Sequence, residues 1–334
     1  MTDPALDPYL ESIEADLRQA ALPSDSPAPA AMAEMIAYHL GWAGESTGRG
    51  KRIRPLITLL ACQACGGDWP RALPAASAVE LIHNFSLVHD DIEDRSETRR
   101  GRPTLWSRWG LSQALNTGDA LFALAHLSLH RLGALGVSPQ VLNAVQHDLT
   151  RACLDLTCGQ HLDMAFETQP TVTTDSYAQM VAGKTAALLA AAASMGARVA
   201  GASASRIQAL AEFGRQLGLA FQMEDDILGI WGDPALTGKP AGDDLLCRKK
   251  SLPTLLGLER SPTFRQLWSS DPIQPSALDG MRHALQECGA QAATLEAARS
   301  ATRQALEALE LSRPQDPAAG LLRDLSHQLI GRQH

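Results

Sequence analysis

The sequence predicts an all-α protein, and three observations carry that prediction. Aromatic residues make up only 4% of the 334 positions, Ala and Leu abound, and alternating β-branched runs are rare. No break in composition, internal repeat or linker divides the chain. One helical domain over residues 1–334 is therefore expected, although the length alone would allow two.

The first 30 residues are polar and carry Pro23, Pro27 and Pro29, so a short helix of about Leu6–Leu22 followed by a loop is expected. Ala31–Trp42 reads as the next helix, ended by Gly41 and Gly44. Gly48-Arg49-Gly50-Lys51-Arg52-Ile53-Arg54-Pro55 then combines glycines, which let backbone approach an anion, with Lys51 and Arg54, which can converge on it. Basic loops are common, so this segment alone says little. Ile57–Ala64 and Ala72–His89 continue as helices. Within this stretch Cys62-x-x-Cys65 has no second Cys/His pair at matching spacing, which favours two buried thiols over zinc or redox chemistry.

Phe85–Thr104, FSLVHDDIEDRSETRRGRPT, is the stretch around which the chain is organised. It spaces Asp90, Asp91 and Asp94 as D-D-x-x-D; on a helix, Asp90 and Asp94 share a face. Carboxylate oxygens suit a hard cation such as Mg²⁺, which binds one or two carboxylates together with phosphate oxygens. Arg99-Arg100-Gly101-Arg102 follows, a patch suited to bidentate phosphate contacts. An isolated D-D-x-x-D is usually a solvated helix end. A second acidic pair, Asp225-Asp226, with its own basic neighbours, weighs against that reading.

Leu111–Leu132 and Pro139–Phe166 are long amphipathic helices, the second containing Gly159-Gln160-His161-Leu162-Asp163. Thr174–Ala200 is dominated by Ala, which favours close helix packing, and carries Lys184-Thr185. Phe221-Gln222-Met223-Glu224-Asp225-Asp226-Ile227-Leu228-Gly229 is the second acidic motif. Residues 232–250 form a loop rich in Gly, Pro and charge, of the length that marks functional loops. Ser251-Leu252-Pro253 starts another helix, and Ala290–Leu309 and Pro317–Ile330 are the clearest of those beyond it.

The net charge of −8 argues against a general polyanion binder. Yet the cations are bunched at Arg49, Lys51, Arg52 and Arg54; at Arg95, Arg99, Arg100 and Arg102; and at Arg248, Lys249 and Lys250. Such bunching suits a small anionic ligand better than DNA or RNA. No signal peptide is visible and no apolar run reaches the ~18 residues of a membrane span, Ala186–Ala197 coming closest; the cytoplasm is the expected location.

Taken together, the ordered motifs over roughly residues 45–255 resemble those of the trans-isoprenyl diphosphate synthases, the polyprenyl synthetase family that includes farnesyl and geranylgeranyl diphosphate synthases. The resemblance implies an isoprenoid-synthase-type helical bundle around a central apolar cavity. It also implies a homodimer that condenses isopentenyl diphosphate with a dimethylallyl, geranyl or farnesyl diphosphate. Three Mg²⁺ ions are expected with the bound diphosphate, held by Asp90, Asp94 and Asp225, with Asp91 and Lys184 also in the catalytic set. Lys51, Arg54, His83 and Arg100 would hold the isopentenyl diphosphate group, and Arg99 joins the substrate-binding residues. Lys184, Thr185, Gln222, Lys239 and Lys249 would bind the allylic diphosphate.

By the same resemblance Asp163 supports the metal site, unless it is a plain exposed acid, and Asp244 matches the family's loop acid. His83 is a substrate contact and His89 structural. The family often has Gly where Arg49 stands, and Asp where Gly229 stands. Since the first Asp of the second motif is the direct ligand, Gly229 should weaken a water-mediated contact, and Gly229→Asp should be tolerated. Phe85, about 7.5 Å below Asp90 along a helix, would floor the product tunnel with small Ser86 beside it. Without extra residues inside the first motif this implies a C20 product, with C15 and C25 as alternatives. A class I terpene cyclase would need an N-D-x-x-S-x-x-x-E run, which the sequence lacks. A non-catalytic partner subunit would lose acidic residues, and a Mg²⁺ phosphohydrolase would release phosphate from isopentenyl diphosphate alone.

Overall fold

The computed structural model describes residues 3–24, 27–43, 50–233 and 242–330. Gly48, Arg49 and Lys239 lie outside the described residues, as does the 234–241 part of the Gly- and Pro-rich loop. The fold is all-helical apart from one two-stranded hairpin.

In chain order the helices are α1 (Asp7–Ala21), α2 (Ala30–His39), α3 (Ile53–Ala64) and α4 (Leu73–Glu93). The hairpin β1 (Thr98–Arg99) and β2 (Arg102–Pro103) leads into α5 (Leu105–Trp109), α6 (Leu111–Ala134) and α7 (Pro139–Thr168). Next come α8 (Thr174–Val181), a π turn (Ala182–Ala186), α9 (Ala187–Val199) and α10 (Ala204–Trp231). The chain closes with α11 (Asp243–Leu246), α12 (Leu252–Arg260), α13 (Pro262–Trp268), α14 (Leu278–Glu287), α15 (Ala290–Leu311) and α16 (Ala318–Ile330). The start of α3 falls at Ile53 rather than Ile57, so Arg54 sits in a helical first turn and not in a flexible loop. The helix α2 stops at His39 rather than Trp42.

The chain gathers into two compact units of interleaved segments. The first comprises Met1–Cys153, Ala191–Ala211 and Leu311–Leu322; the second comprises Leu154–Ala190, Glu212–Glu310 and Arg323–His334. At the centre of the first lies α4, which packs against α6, α1 and α3. Its apolar residues are buried all round (Ala75, Ala76, Ala78, Val79, Leu81 and Ile82), as expected for a helix without a polar face. Ser77, Glu80 and Asn84 are its buried polar residues, and its C-terminal turns carry the first acidic motif. The α6 helix meets it with a buried stripe of Ala114, Leu121, Ala125, Leu129 and Leu132. Gly118 lies in that stripe, and a Cβ there would come within 2.4 Å of the His89 ring. Cys62 and Cys65 are buried free thiols, and burial pushes Cys62 up to about 12, so the pair is inert at neutral pH.

The second unit is built around Phe166, Tyr177, Val181, Ile230, Leu245, Phe264, Met281 and Leu285. Here α7 touches the π turn backbone to backbone: a Cβ on Gly159 would lie 2.1 Å from the Lys184 nitrogen. The helices α8 and α9, joined by the π turn, run as 26 mostly apolar helical residues from Thr174 to Val199. By length and composition this stretch could cross a membrane, so the sequence limit of Ala186–Ala197 was too short: Lys184 and Thr185 interrupt the apolar pattern without interrupting the helix. Since most of that stretch is buried inside the protein, its apolar character serves the core.

All the non-glycine residues with a left-handed backbone among the described residues are arginines: Arg52, Arg95, Arg100, Arg248 and Arg313.

Candidate active site

In the first unit the acidic motif lies where α4 emerges from the core. Asp90 and Asp91 are in its last turn, and Asp94 is the exposed C-cap residue. The hairpin folds back over this turn, anchored where the Thr104 hydroxyl and the Trp106 indole both donate to the Ser96 carbonyl at 2.8 Å. Its tip, Arg100-Gly101, has positive φ at both residues, the geometry of a tight two-residue hairpin. This placement brings Arg99 onto the two aspartates: its Nε donates to Asp91 at 2.7 Å and its Nη2 to Asp90 at 3.1 Å. Asp91 is only 2% exposed, and burial pushes its carboxyl up to about 6 against the pull of Arg99. Asp90 and Asp94 are the accessible members of the set.

A cationic pocket lies beside them in the same unit. Arg54 Nη1 is 3.3 Å from His83 Nε2, and the Arg100 guanidinium packs on the Gly50 backbone, where a Cβ would approach it to 3.0 Å. Burial, then the charges of Arg54, Arg100 and Arg99, keep His83 neutral by holding its pKa well below the usual histidine value. His39 joins this pocket: burial, then Arg99 and Arg100, lower it to about 3. The sequence reading missed His39, which no motif marks. Two of the bunched cations serve structure instead. Arg52 is buried between Glu14 and Glu80, at 2.6 and 2.7 Å. Arg102 stacks on Tyr38 at 3.9 Å and donates to the Ala43 carbonyl. Lys51 is exposed at the start of α3.

Below Asp90 on α4, Phe85 begins an aromatic ladder. Its ring centroid lies 4.7 Å from His89 and 5.4 Å from Phe122, which in turn lies 4.5 Å from His126 on α6. The Ser86 hydroxyl turns back to the His83 carbonyl at 2.8 Å.

The second unit holds the other acidic motif near the end of α10. Asp226 is 1% exposed and accepts three hydrogen bonds: from the Tyr177 hydroxyl at 2.6 Å, the Gln222 amide at 3.0 Å and the Leu252 backbone N–H at 3.0 Å. It thereby caps α12 and ties α8 to α10. Gln222 is completed by the Thr185 hydroxyl, which donates to Oε1 at 2.8 Å, so Gln222 and Thr185 are engaged with each other. The π turn sets Lys184 and Thr185, and the Lys184 ammonium pairs with Asp163 at 2.5 Å. Asp163 is therefore a partner of Lys184 and not a plain exposed acid.

Asp225 is the half-buried member of the acidic pair. Lys249 lies 3.7 Å from Asp244. Desolvation would lower its pKa, yet Asp244, then Asp226, Asp163 and Asp225, outweigh it and raise the pKa above the ordinary lysine value. The side chain keeps 42% exposure, so these charges act through partly hydrated space. Tyr177, the π turn and the role of Asp226 as a hub carry no sequence signature of their own.

The donor chemistry suits Mg²⁺. Among the described residues no three His, Cys, Asp or Glu side chains converge into a ready-made cage. Mg²⁺ needs none, because it completes its octahedron with water and phosphate oxygens around one or two carboxylates. In the first unit Asp90, beside Arg99, and the exposed Asp94 offer such oxygens, and in the second unit Asp225 does so in the field of Lys249.

Comparison with known proteins agrees with this reading. Residues 42–279 match the model of the polyprenyl synthetase family. The geranylgeranyl diphosphate synthase of Mycobacterium tuberculosis is 49% identical over 232 residues, which is 68% of this chain but 65% of that protein, just under two thirds of its length. The (2E,6E)-farnesyl diphosphate synthase of Mycobacterium bovis is 42% identical over 316 residues, 90% of this chain and 86% of the other. Among solved structures, the geranylgeranyl pyrophosphate synthase of Corynebacterium glutamicum, complexed with isoprenyl diphosphate and magnesium, superimposes with a TM-score of 0.84 at 28% identity, covering 98% of this chain and 99% of that one. The chain belongs to the polyprenyl synthetase family, whose members are Mg²⁺-dependent transferases of prenyl groups.

Proposed function

We propose that the chain condenses isopentenyl diphosphate with an allylic diphosphate and that its main product is the C20 geranylgeranyl diphosphate. The observation that carries this reading is that each acidic motif has cations of its own set close by. Arg99 reaches Asp90 at 3.1 Å and Asp91 at 2.7 Å in the first motif, and Lys249 lies in the field of Asp244, Asp226, Asp163 and Asp225 around the second.

Asp90, Asp94 and Asp225 would hold Mg²⁺, which supplies positive charge to the leaving diphosphate when bound. Three ions are proposed. Lys184 and Lys249, with Lys239 from outside the described residues, bind the allylic diphosphate and stabilise charge as its C–O bond breaks. Thr185 and Gln222 hold the π turn beside them. Arg54, Arg100 and Lys51, with His83, bind the diphosphate of isopentenyl diphosphate and aim its double bond at the allylic carbon. Asp91 positions Arg99 rather than binding metal. The proton lost after the new C–C bond forms goes to the departed diphosphate, since no protein base is assigned.

The Phe85 ladder supports a tunnel floor beneath the first motif. A farnesyl product is the second reading, favoured by the farnesyl synthase that aligns with 90% of the chain. A homodimer is also proposed. Leu111, Leu115 and Phe122 leave an exposed apolar stripe on α6 that a second copy would cover, and light scattering behind a sizing column reads this directly. Incubation with isopentenyl diphosphate, Mg²⁺ and each allylic starter, followed by product chromatography, tests the activity. A C20 peak is expected; a C15 end point would select the farnesyl reading, and no elongation from any starter would reject both.

A further inference from the structure

A buried carboxylate stands beside the cationic pocket of the first unit. Glu80 lies on α4, three residues before His83, and is 3% exposed. Its Oε1 accepts from Arg52 Nη1 at 2.7 Å and from the Asn84 amide at 3.1 Å. The spacing of three and four puts Glu80, His83 and Asn84 on one face of the helix. Burial lowers the Arg100 pKa, and of the charges acting on that guanidinium Glu80, pulling the other way, is the strongest. A negative charge there opposes any diphosphate that Arg100 is to bind.

What Glu80 supplies against that opposition is order at the start of α3. Arg52 is the N-cap residue of that helix, with a left-handed backbone at φ 51°. Such a backbone is unfavourable for a non-glycine residue and persists where its surroundings hold it. Here the side chain is fastened three times: Nη1 to Glu80, Nε to Glu14 of α1 at 2.6 Å, and Nη2 to the carbonyl of Leu40, the C-cap of α2, at 3.1 Å. Glu14 is held in turn by the Trp42 indole at 2.8 Å. A fixed Arg52 fixes the residue before it and the first helical turn after it, where Lys51 and Arg54 stand.

We infer that Glu80 is a positioning residue for the isopentenyl diphosphate pocket, acting through Arg52 to set Lys51 and Arg54. The part of the inference that concerns substrate rests on the prenyl-transfer reading. Charge and order predict opposite effects for Glu80→Gln. Acting by charge alone, the substitution makes the pocket more positive and tightens diphosphate binding. Acting by order, it keeps the size and an acceptor oxygen but loosens the hold on Arg52, and binding weakens.

Calorimetric titration of the full chain with isopentenyl diphosphate in EDTA reads the pocket without metal or turnover. Glu80→Gln should weaken binding about tenfold, the scale of removing a buried support from a ligand-holding side chain. Arg52→Lys keeps the charge but loses the planar fork that reaches three partners, and should weaken it by a similar factor. In steady state both variants should raise KM for isopentenyl diphosphate about tenfold and leave KM for the allylic diphosphate unchanged. Hydrogen exchange of the amides of residues 51–56 should quicken in both. Should Glu80→Gln not fold, Arg52→Lys carries the same measurements.

Unchanged or tighter binding by Glu80→Gln would overturn the positioning role. Equal rises in both KM values, the mark of a general loosening, would overturn it too. A parent chain that neither binds nor condenses isopentenyl diphosphate would reject the proposed function instead. Exchange at residues 51–56 then decides whether Glu80 orders α3, and parent-like exchange in Glu80→Gln would overturn that.

Discussion

The two acidic motifs use the same D-D pair differently. In both, the second aspartate is buried, Asp91 at 2% and Asp226 at 1% exposure, and the first is left accessible. Asp91 is compensated by one charged partner, Arg99, reaching over from a hairpin. Asp226 is compensated by three donors on three elements, one of them the backbone N–H at the start of α12. The first buried aspartate orients a cation; the second holds helices together. A doubled aspartate is therefore one ligand and one support, and the support differs with what surrounds it.

The largest effect should come from the accessible members. Asp90→Ala and Asp225→Ala should each cut condensation by at least about 100- to 1,000-fold, the scale of losing a group that stabilises developing charge. Unfolding free energies should move by no more than about 0.5 kcal/mol, since neither is a core group. Near-normal turnover in either variant would end the division into ligand and support.

Next come the supports. Asp226→Ala strands the Tyr177 hydroxyl and the Leu252 N–H in the interior, a loss on the order of 3 kcal/mol. Asp91→Ala leaves Arg99 with Asp90 and water and should lose about 1 kcal/mol. Urea titrations of both would break the comparison if the order were reversed.

A third difference is the aromatic ladder found beneath the first motif. Phe85→Ala should lengthen the products by one or more isoprene units under excess isopentenyl diphosphate. An unchanged chromatogram would place the floor elsewhere and remove the basis for C20.

The smallest effect is a matter of pH. Asp91 titrates near 6 in the fold and near 3.8 when unfolded. Its raised pKa adds stability that is complete below 3.8 and lost as pH rises through about 6. Urea midpoints in EDTA between pH 5 and 7 should therefore fall less steeply with pH in Asp91→Asn than in the parent; parallel slopes would contradict the assignment.

The helices were legible because their signals are periodic and local. The chemistry-bearing residues were legible because spacing such as D-D-x-x-D survives in one dimension. What escaped depends on close approach between segments distant in sequence. The hairpin was missed because strands of two residues carry no alternation. The π turn that sets Lys184 was missed because nothing in the local pattern marks it, and the Gly159 backbone it meets belongs to another helix. His39 enters the cationic pocket only through the packing of α2, and the close contact of Gly229 with the Asp244 carboxylate joins positions far apart in sequence.

The five left-handed arginines bear on how this protein responds to selection. Left-handed backbone costs a non-glycine residue on the order of 1 kcal/mol, and glycine relieves it while giving back a similar amount through the looser unfolded chain. Arg and Gly codons can differ by a single base, so such replacements are within easy mutational reach. Arg52→Gly would be punished at once, because Glu14 and Glu80 would lose their buried partner. Arg100→Gly, at a hairpin tip already shaped for glycine, would pass a screen for folding and lose a guanidinium from the cationic pocket. Libraries of this protein sorted only by thermal survival would drift toward well-folded, inactive chains through that position.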